Sequence, residues 1–400
     1  MRGGEHSVPG NFGRNGALGS PPMGRLVALV MHQSDAMVTQ MRRCWDAGDA
    51  VAPIDTRLPA AEVERLLATL SPSVVLDDSG ESRTYGDGVP TEPGDALVMT
   101  TSGTTAVPKG VVLTHDSVSA SARATSRRLG VRPDSDHWLA CLPLSHVGGM
   151  SVVTRALVTG TPLTVHPGFD AKAVGEAAAH GVTLVSLVAT ASRRIDSSLF
   201  RTVVLGGMAP PERLAANVVT TYGMTETGSG VVYDGRPLDG VQVGFGDGNE
   251  ILLRGPMLAS RYRDGSPVVG GDGWLRTADA GTIGDDGRLV VLGRTDDVIN
   301  TGGEKVWPAT VETALASHPL VAEVAVVGRD HPEWGREVVA CVVPADPADP
   351  PLLAQLRDMV RERMAPWCAP KALVLTGSLP RTALGKVRRS AVAELVAGQI

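Results

Sequence analysis

The densest run of chemistry-bearing residues is Thr101-Ser-Gly-Thr-Thr105, which closes on Pro108-Lys-Gly110. The hydroxyls of Thr101, Ser102, Thr104 and Thr105, the glycines Gly103 and Gly110, and the Lys109 ammonium supply many donors and a positive charge, as a triphosphate requires. The run directly follows the apolar stretch Ala96-Leu-Val-Met99, which places it where a strand turns. It is not a Walker A loop, which has Gly before its Lys and Ser/Thr after it; here Pro108 precedes and Gly110 follows. A plain Ser/Thr/Gly surface turn is the competing reading. Other catalytic templates fail. There is no Gly-x-Ser-x-Gly elbow and no His-Glu-x-x-His, and Gly244-Phe-Gly-Asp-Gly248 does not lie between a strand and a helix as a dinucleotide fingerprint must. Cys44, Cys141, Cys341 and Cys368 are too dispersed for a zinc site or a disulfide framework and read as reduced thiols in a cytoplasm.

The elements that must position such a loop can be read from apolar periodicity. From Leu26 to Gly207, runs such as Trp138-Leu-Ala-Cys141, Leu163-Thr-Val165, Val182 to Val188 and Val203-Val-Leu205 alternate with helix-like stretches. This predicts an α/β fold with a mostly parallel sheet and covering helices. Asp116 is the expected cap of a helix ending near Leu129 before Gly130, and Gly160 and Gly181 close two more helices. From about residue 230 to 295, short strands separated by Gly/Asp turns predict a small antiparallel, barrel-like subdomain. After Arg294-Thr-Asp296 a compact α+β module is expected, with helices Pro308 to Ser317 and Leu352 to Met364 and strands near Val324 to Val327, Val338 to Val343 and Ala372 to Leu375. The expected division is therefore 1–24 as a disordered extension, 25–295 as a large domain and 296–400 as a small one. At 400 residues and 43% hydrophobic, the chain is long enough to bury such cores. A net charge of −6 argues against nucleic acid as a partner, and no apolar run is long enough to insert in a membrane.

Five further motifs follow the loop in order: Leu142-Pro-Leu-Ser-His146, Thr221-Tyr-Gly-Met-Thr-Glu-Thr227, Trp274-Leu-Arg-Thr-Ala-Asp279, Gly293-Arg-Thr-Asp-Asp-Val-Ile-Asn300 with Gly302-Gly-Glu304, and Pro380-Arg-Thr-Ala-Leu-Gly-Lys386. Together with the loop they resemble the adenylate-forming superfamily of acyl-CoA synthetases, luciferases and peptide-synthetase adenylation domains. One departure is Ala106, where that superfamily usually has Gly; its methyl restricts a loop that wants φ > 0.

The resemblance implies an ATP-dependent ligase that makes an acyl-adenylate and passes the acyl group to a thiol. Glu226 would meet the Mg²⁺ that accompanies ATP, and Thr225 the α-phosphate, within a turn that also carries Tyr222 and Gly223. Asp279, expected at the entry to a turn, would accept the ribose hydroxyls, with Arg294 a cationic contact to the same nucleotide. Asp296 would be the hinge about which a mobile C-terminal domain swings, and Gly302-Gly303 would line the path of a coenzyme A pantetheine arm. Lys386 would reach the attacking carboxylate and α-phosphate during adenylation. Read without the resemblance, Gly302-Gly303 is a turn and Lys386 belongs to a solvated basic run with Arg381, Arg388 and Arg389.

The shortness of the chain, Leu142 to Gly149 followed by Arg155, and Val232-Tyr-Asp-Gly-Arg-Pro-Leu-Asp-Gly240 are similar to actinobacterial o-succinylbenzoate–CoA ligases. In that family an Arg at the place of Arg155 serves the second carboxylate, and His146, expected at a strand end, borders the acyl pocket. On helical spacing alone, Ser151, Arg155 and Thr159 form one stripe that could face solvent, and His146 could be a packed histidine. A ligase for another aromatic or polycyclic acid, a carrier-protein thiol as acceptor, and a homologue limited to one half-reaction remain alternatives. The oligomeric state, a homo-oligomer included, is left open.

Overall fold

The computed structural model describes residues 23–86, 88–101, 108–207, 214–381 and 387–398. Ser102 to Thr105, Ala106 and Lys386, and the extension expected over 1–24 save its last two residues, therefore lie outside the described residues.

Two seven-stranded sheets form most of the first 262 residues. In the first, Leu26–Val30, Ala50–Ile54, Val74–Asp77 and Asp95–Thr101 run parallel, and Lys109–Thr114 and Arg261–Tyr262 add antiparallel strands at one edge. In the second, Trp138–Ala140, Leu163–Val165, Leu184–Val188, Thr202–Gly206 and Val218–Met224 are parallel, and Ser229–Tyr233 returns antiparallel. These strands read as continuous apolar runs because helices cover both faces, so there is no wet face to demand alternation.

Helices His115–Arg128 and Val147–Thr159 pack on each other between the sheets. The first begins at Thr114, whose hydroxyl accepts from Ser117 N at 3.1 Å while Ser117 Oγ accepts from Thr114 N at 3.0 Å. The cap is thus Thr114 and not Asp116, which sits in the first turn where a negative charge suits the helix dipole. The second starts at Val147 with His146 as its N-cap residue, so His146 does not end a strand; the strand stops at Ala140. Gly160 closes this helix at φ 71°, as expected.

A four-stranded antiparallel sheet of Gln242–Phe245, Glu250–Arg254, Leu275–Ile283 and Leu289–Arg294 forms the barrel-like part. Beyond it, Ile299–Thr301, Glu304–Val306, Val321–His331, Gly335–Pro344 and Ala372–Leu375 make a further sheet, covered by Pro308–Leu315, Leu353–Arg363 and Arg389–Ala397. The apolar clusters built on this sheet contain no residue before Ile299.

Candidate active site

The described residues on either side of the Ser/Thr/Gly run are paired strands: Asp95–Thr101 runs antiparallel to Lys109–Thr114, and Thr101 stands opposite Lys109. The Lys109 ammonium lies 4.9 Å from the centre of the Tyr262 ring. Tyr262 in turn donates its hydroxyl to Glu226 Oε1 at 3.1 Å. Burial first, then the nearby Glu226 carboxylate, pushes the Tyr262 phenol above its ordinary pKa, which keeps it a donor.

Glu226 lies in the short 3₁₀ turn Thr225–Thr227 that follows Val218–Met224, a strand longer than the expected turn motif implied. The Thr227 hydroxyl, fully buried, holds the turn by donating towards Met224 O at 2.8 Å and accepting from Met224 N at 2.9 Å. Gly223 is required here by close approach, since a Cβ would come within 2.2 Å of the Ser229 carbonyl oxygen on the returning strand. Among the described residues, no group of three His, Cys, Asp or Glu could hold a metal on its own. Glu226 is a lone carboxylate, and its Oε2 accepts no hydrogen bond from the described residues. That suits Mg²⁺, which keeps phosphate and water oxygens around it, better than a cation needing an all-protein cage.

On the preceding strand Val218–Met224, Tyr222 donates its hydroxyl to Asp279 Oδ2 at 2.9 Å. Arg294 Nη1 lies 3.4 Å from Asp279 Oδ1 and donates to Thr277 O at 2.9 Å. Asp279 and Arg294 are cross-strand partners. Asp279 is therefore inside the strand Leu275–Ile283, not at the entry to a turn; the register shift at Ala280/Gly281 and the left-handed Ala278 (φ 54°) distort that strand locally. Burial raises the Asp279 pKa above the ordinary carboxylate value, and Tyr222 and Arg294 offset only part of that rise.

Asp296 is exposed, 3.9 Å from Arg294 Nη2, in the turn Thr295–Asp297 between the barrel-like sheet and the last sheet. Gly302 and Gly303 are the two central residues of a hairpin between Thr301 and Glu304, at φ 58° and 87°. Positive φ at both positions is what a type I′ turn requires, so glycine is there for the turn itself.

Arg155, which the resemblance would put at the acyl pocket and helical spacing alone could put in solvent, is buried. Ser151 and Arg155 are buried, at 4% and 3% exposure, so this stripe does not face solvent. The guanidinium lies 5.6 Å from the Trp138 ring centre, 3.4 Å from Ser186 Oγ and 3.5 Å from Tyr233 Oη. Among the described residues no carboxylate pairs with it, and its Nε has no partner. Ser151 and Thr154 of the same helix line a small cavity with Met99, Ser121, Val147 and Gly228. His146 occupies the N-cap position of that helix without a side-chain cap hydrogen bond, and is half-buried.

Sequence reasoning missed Tyr262, and it did not assign roles to Tyr233, Ser186 or Trp138. A signal existed: the chain has only four tyrosines, and Tyr222, Tyr233 and Tyr262 all fall in this region.

Comparison with known proteins places the chain in a family. The family model described as AMP-binding enzyme matches residues 79–262, and that described as AMP-binding enzyme C-terminal domain matches 310–386. A probable 2-succinylbenzoate–CoA ligase of Mycobacterium tuberculosis is 38% identical over 88% of this chain and 97% of its own. A 2-succinylbenzoate–CoA ligase of Bacillus cytotoxicus is 35% identical over 75% of this chain and 70% of its own. The o-succinylbenzoate coenzyme A synthetase of Bacillus subtilis, solved with its acyl-adenylate, superposes with a TM-score of 0.81 at 27% identity, covering 92% of this chain and 88% of that one. On these matches, the chain belongs to the AMP-binding enzyme family.

Proposed function

We propose that this chain is an AMP-forming acid–thiol ligase that activates a dicarboxylic aromatic acid of the 2-succinylbenzoate class and delivers it to coenzyme A. The observation that carries the substrate reading is Arg155, a buried guanidinium with no counter-charge among the described residues. An isolated buried charge is costly and is retained where something pairs with it. A carboxylate entering past the cavity of Ser151 and Thr154 would do so, and a planar fork suits it.

In the first half-reaction the acid's other carboxylate attacks the α-phosphorus of ATP and pyrophosphate leaves. Asp279, oriented by Tyr222 and Arg294, accepts the ribose hydroxyls. Thr225 and the Thr101 to Thr105 run donate to phosphate oxygens, and Lys109 and Lys386 supply positive charge where negative charge builds. Mg²⁺, held by Glu226 and phosphate oxygens, would neutralise charge on the triphosphate. In the second half-reaction the thiol attacks the acyl carbonyl and AMP leaves, the thiol arriving past the Gly302–Gly303 turn. The two halves divide the chain at Asp296, between a large unit of 25–295 and a small mobile unit of 296–400. His146 borders the acyl cavity. No helix among the described residues is long and apolar enough to cross a membrane, and ATP and coenzyme A as co-substrates suit a cytoplasmic enzyme.

Two assays test this together: acid-dependent exchange of labelled pyrophosphate into ATP without coenzyme A, and coenzyme A-dependent AMP release. Both are expected with 2-succinylbenzoate and weakly with the matched monocarboxylic acid. Equal rates with the two acids would remove the substrate reading, whereas no exchange with any acid would remove the ligase.

A further inference from the structure

We infer that Tyr262 is a positioning residue for adenylation, holding the Glu226 carboxylate and the Lys109 end of the phosphate hairpin at a fixed separation. The inference rests on the reading above, in which these two residues flank the triphosphate and its cation.

The geometry is built from one short edge strand. Arg261–Tyr262 pairs antiparallel with Lys109–Thr114, Tyr262 opposite Val111. Ser260 N donates to Val112 O at 3.0 Å and Arg263 N to Gly110 O at 2.7 Å, so the segment is stitched to the hairpin on both sides of Tyr262. The same segment is stitched to the Glu226 turn twice. Ala259 N donates to the Glu226 carbonyl at 2.8 Å, and the Tyr262 hydroxyl donates to Oε1 at 3.1 Å. The ring face lies under the Lys109 ammonium, an attractive placement for a cation. One side chain therefore touches both charged groups through different parts of itself.

A carboxylate that meets a metal works best when a neighbour fixes its orientation, because a freely rotating carboxylate must lose rotamer freedom on binding. The Tyr262 hydroxyl holds Oε1 and leaves Oε2 without a hydrogen bond from the described residues, a geometry suited to meeting a cation. Tyr262→Phe separates the two contacts, since it keeps the ring beneath Lys109 and removes only the hydroxyl.

The test compares wild type, Tyr262→Phe and Glu226→Gln by titrating the full-length protein with Mn²⁺ in the presence of ATP and reading bound Mn²⁺ by electron paramagnetic resonance. Calorimetric Mg·ATP binding and thermal midpoints accompany it. Loss of a hydrogen bond to a charged group predicts a dissociation constant raised roughly tenfold in Tyr262→Phe, with an unshifted midpoint. Glu226→Gln should raise it at least as much. Thioester formation from supplied acyl-adenylate, which involves no triphosphate, serves as the internal comparison and should separate from the Mg·ATP defect. Wild-type Mn²⁺ affinity in Tyr262→Phe beside a weakened Glu226→Gln overturns the positioning role and leaves the reading of the cleft intact. Wild-type affinity in both removes Glu226 as the metal contact and the inference with it.

Discussion

At the scale of single residues, this protein keeps charge where packing alone would not. Arg155 is buried beside Trp138, Ser186 and Tyr233 with only long hydroxyl contacts, and an apolar side chain of similar length would suit that place better in the absence of ligand. Arg155→Met is therefore expected to leave the ligand-free protein as stable or more stable, by about 1 kcal/mol or more. The same change should lower the kcat/KM ratio for di- over monocarboxylic acid by roughly tenfold or more, the worth of a hydrogen bond to a charged group. Thermal melts and the two-acid ratio measure the two halves separately, and a destabilised mutant with an unchanged ratio would mean Arg155 is structural. Asp279 gives a second residue-scale expectation. Its folded pKa is raised, so its contribution to ligand-free stability is full below the ordinary carboxylate value and is lost as pH rises through the raised one. ATP binding runs the other way, because the ribose needs the ionised acceptor. ATP affinity should then begin to fall on acidification above the ordinary carboxylate range near about pH 4, and Asp279→Asn should flatten that dependence. A wild-type affinity flat down to that range would contradict the assignment. Asp279 could be singled out in the sequence because it stands in a contiguous motif, whereas Arg155 was singled out only through the resemblance. Tyr262 was not legible, since Arg261-Tyr-Arg263 reads as a polar edge and its contacts to Lys109 and Glu226 are made only by the fold.

Elements were legible to the extent that local periodicity set them. The strand Ala372–Leu375 has the expected bounds, and Gly160 ends its helix as expected. Where two neighbouring residues can both start a helix, sequence has no way to choose. Thr114 and Asp116 are such a pair. The choice is made by the strand Lys109–Thr114, which delivers Thr114 in extended conformation (φ −85°, ψ 162°), as an N-cap requires. Thr114→Ala should accordingly cost ~1 kcal/mol in chemical denaturation. Asp116→Ala removes a dipole interaction worth about 0.3–1 kcal/mol and should cost less. The reverse ranking would restore Asp116 as the cap. For the stripe of Ser151, Arg155 and Thr159, spacing alone left a solvent-facing alternative open for a related reason. Spacing shows that residues share a face but not what covers it, and here the second sheet does.

For the whole molecule, the proposed hinge lies in the connection Thr295–Asp297, and Arg389 of the last helix grips the far end of that connection. Arg389 donates through Nε to Asp297 Oδ2 at 3.0 Å and through Nη2 to Glu312 Oε2 at 3.1 Å. Burial works against its charge, yet Glu312 and Asp297 hold its pKa above the ordinary value. Asp297 is thereby bound to the helices Arg389–Ala397 and Pro308–Leu315, whereas Asp296 beside it is exposed, which fits the proposed hinge at Asp296. Arg389 also lies three residues past Lys386, just after a bridge between Arg381 and Val387 that closes the base of the segment carrying that lysine. On the proposed swing of 296–400, Lys386 would reach the large unit in one arrangement and be withdrawn from it in the other. If so, Lys386 serves adenylation alone. Removing an oriented charge at the reacting phosphate costs about 2.7–4 kcal/mol, so Lys386→Ala should slow pyrophosphate exchange by roughly 10² to 10³. Thioester formation from synthetic acyl-adenylate should stay close to wild type in the same mutant. Equal losses in both half-reactions would mean that the lysine acts in both arrangements or in neither, and that the small unit does not carry it in and out of the cleft.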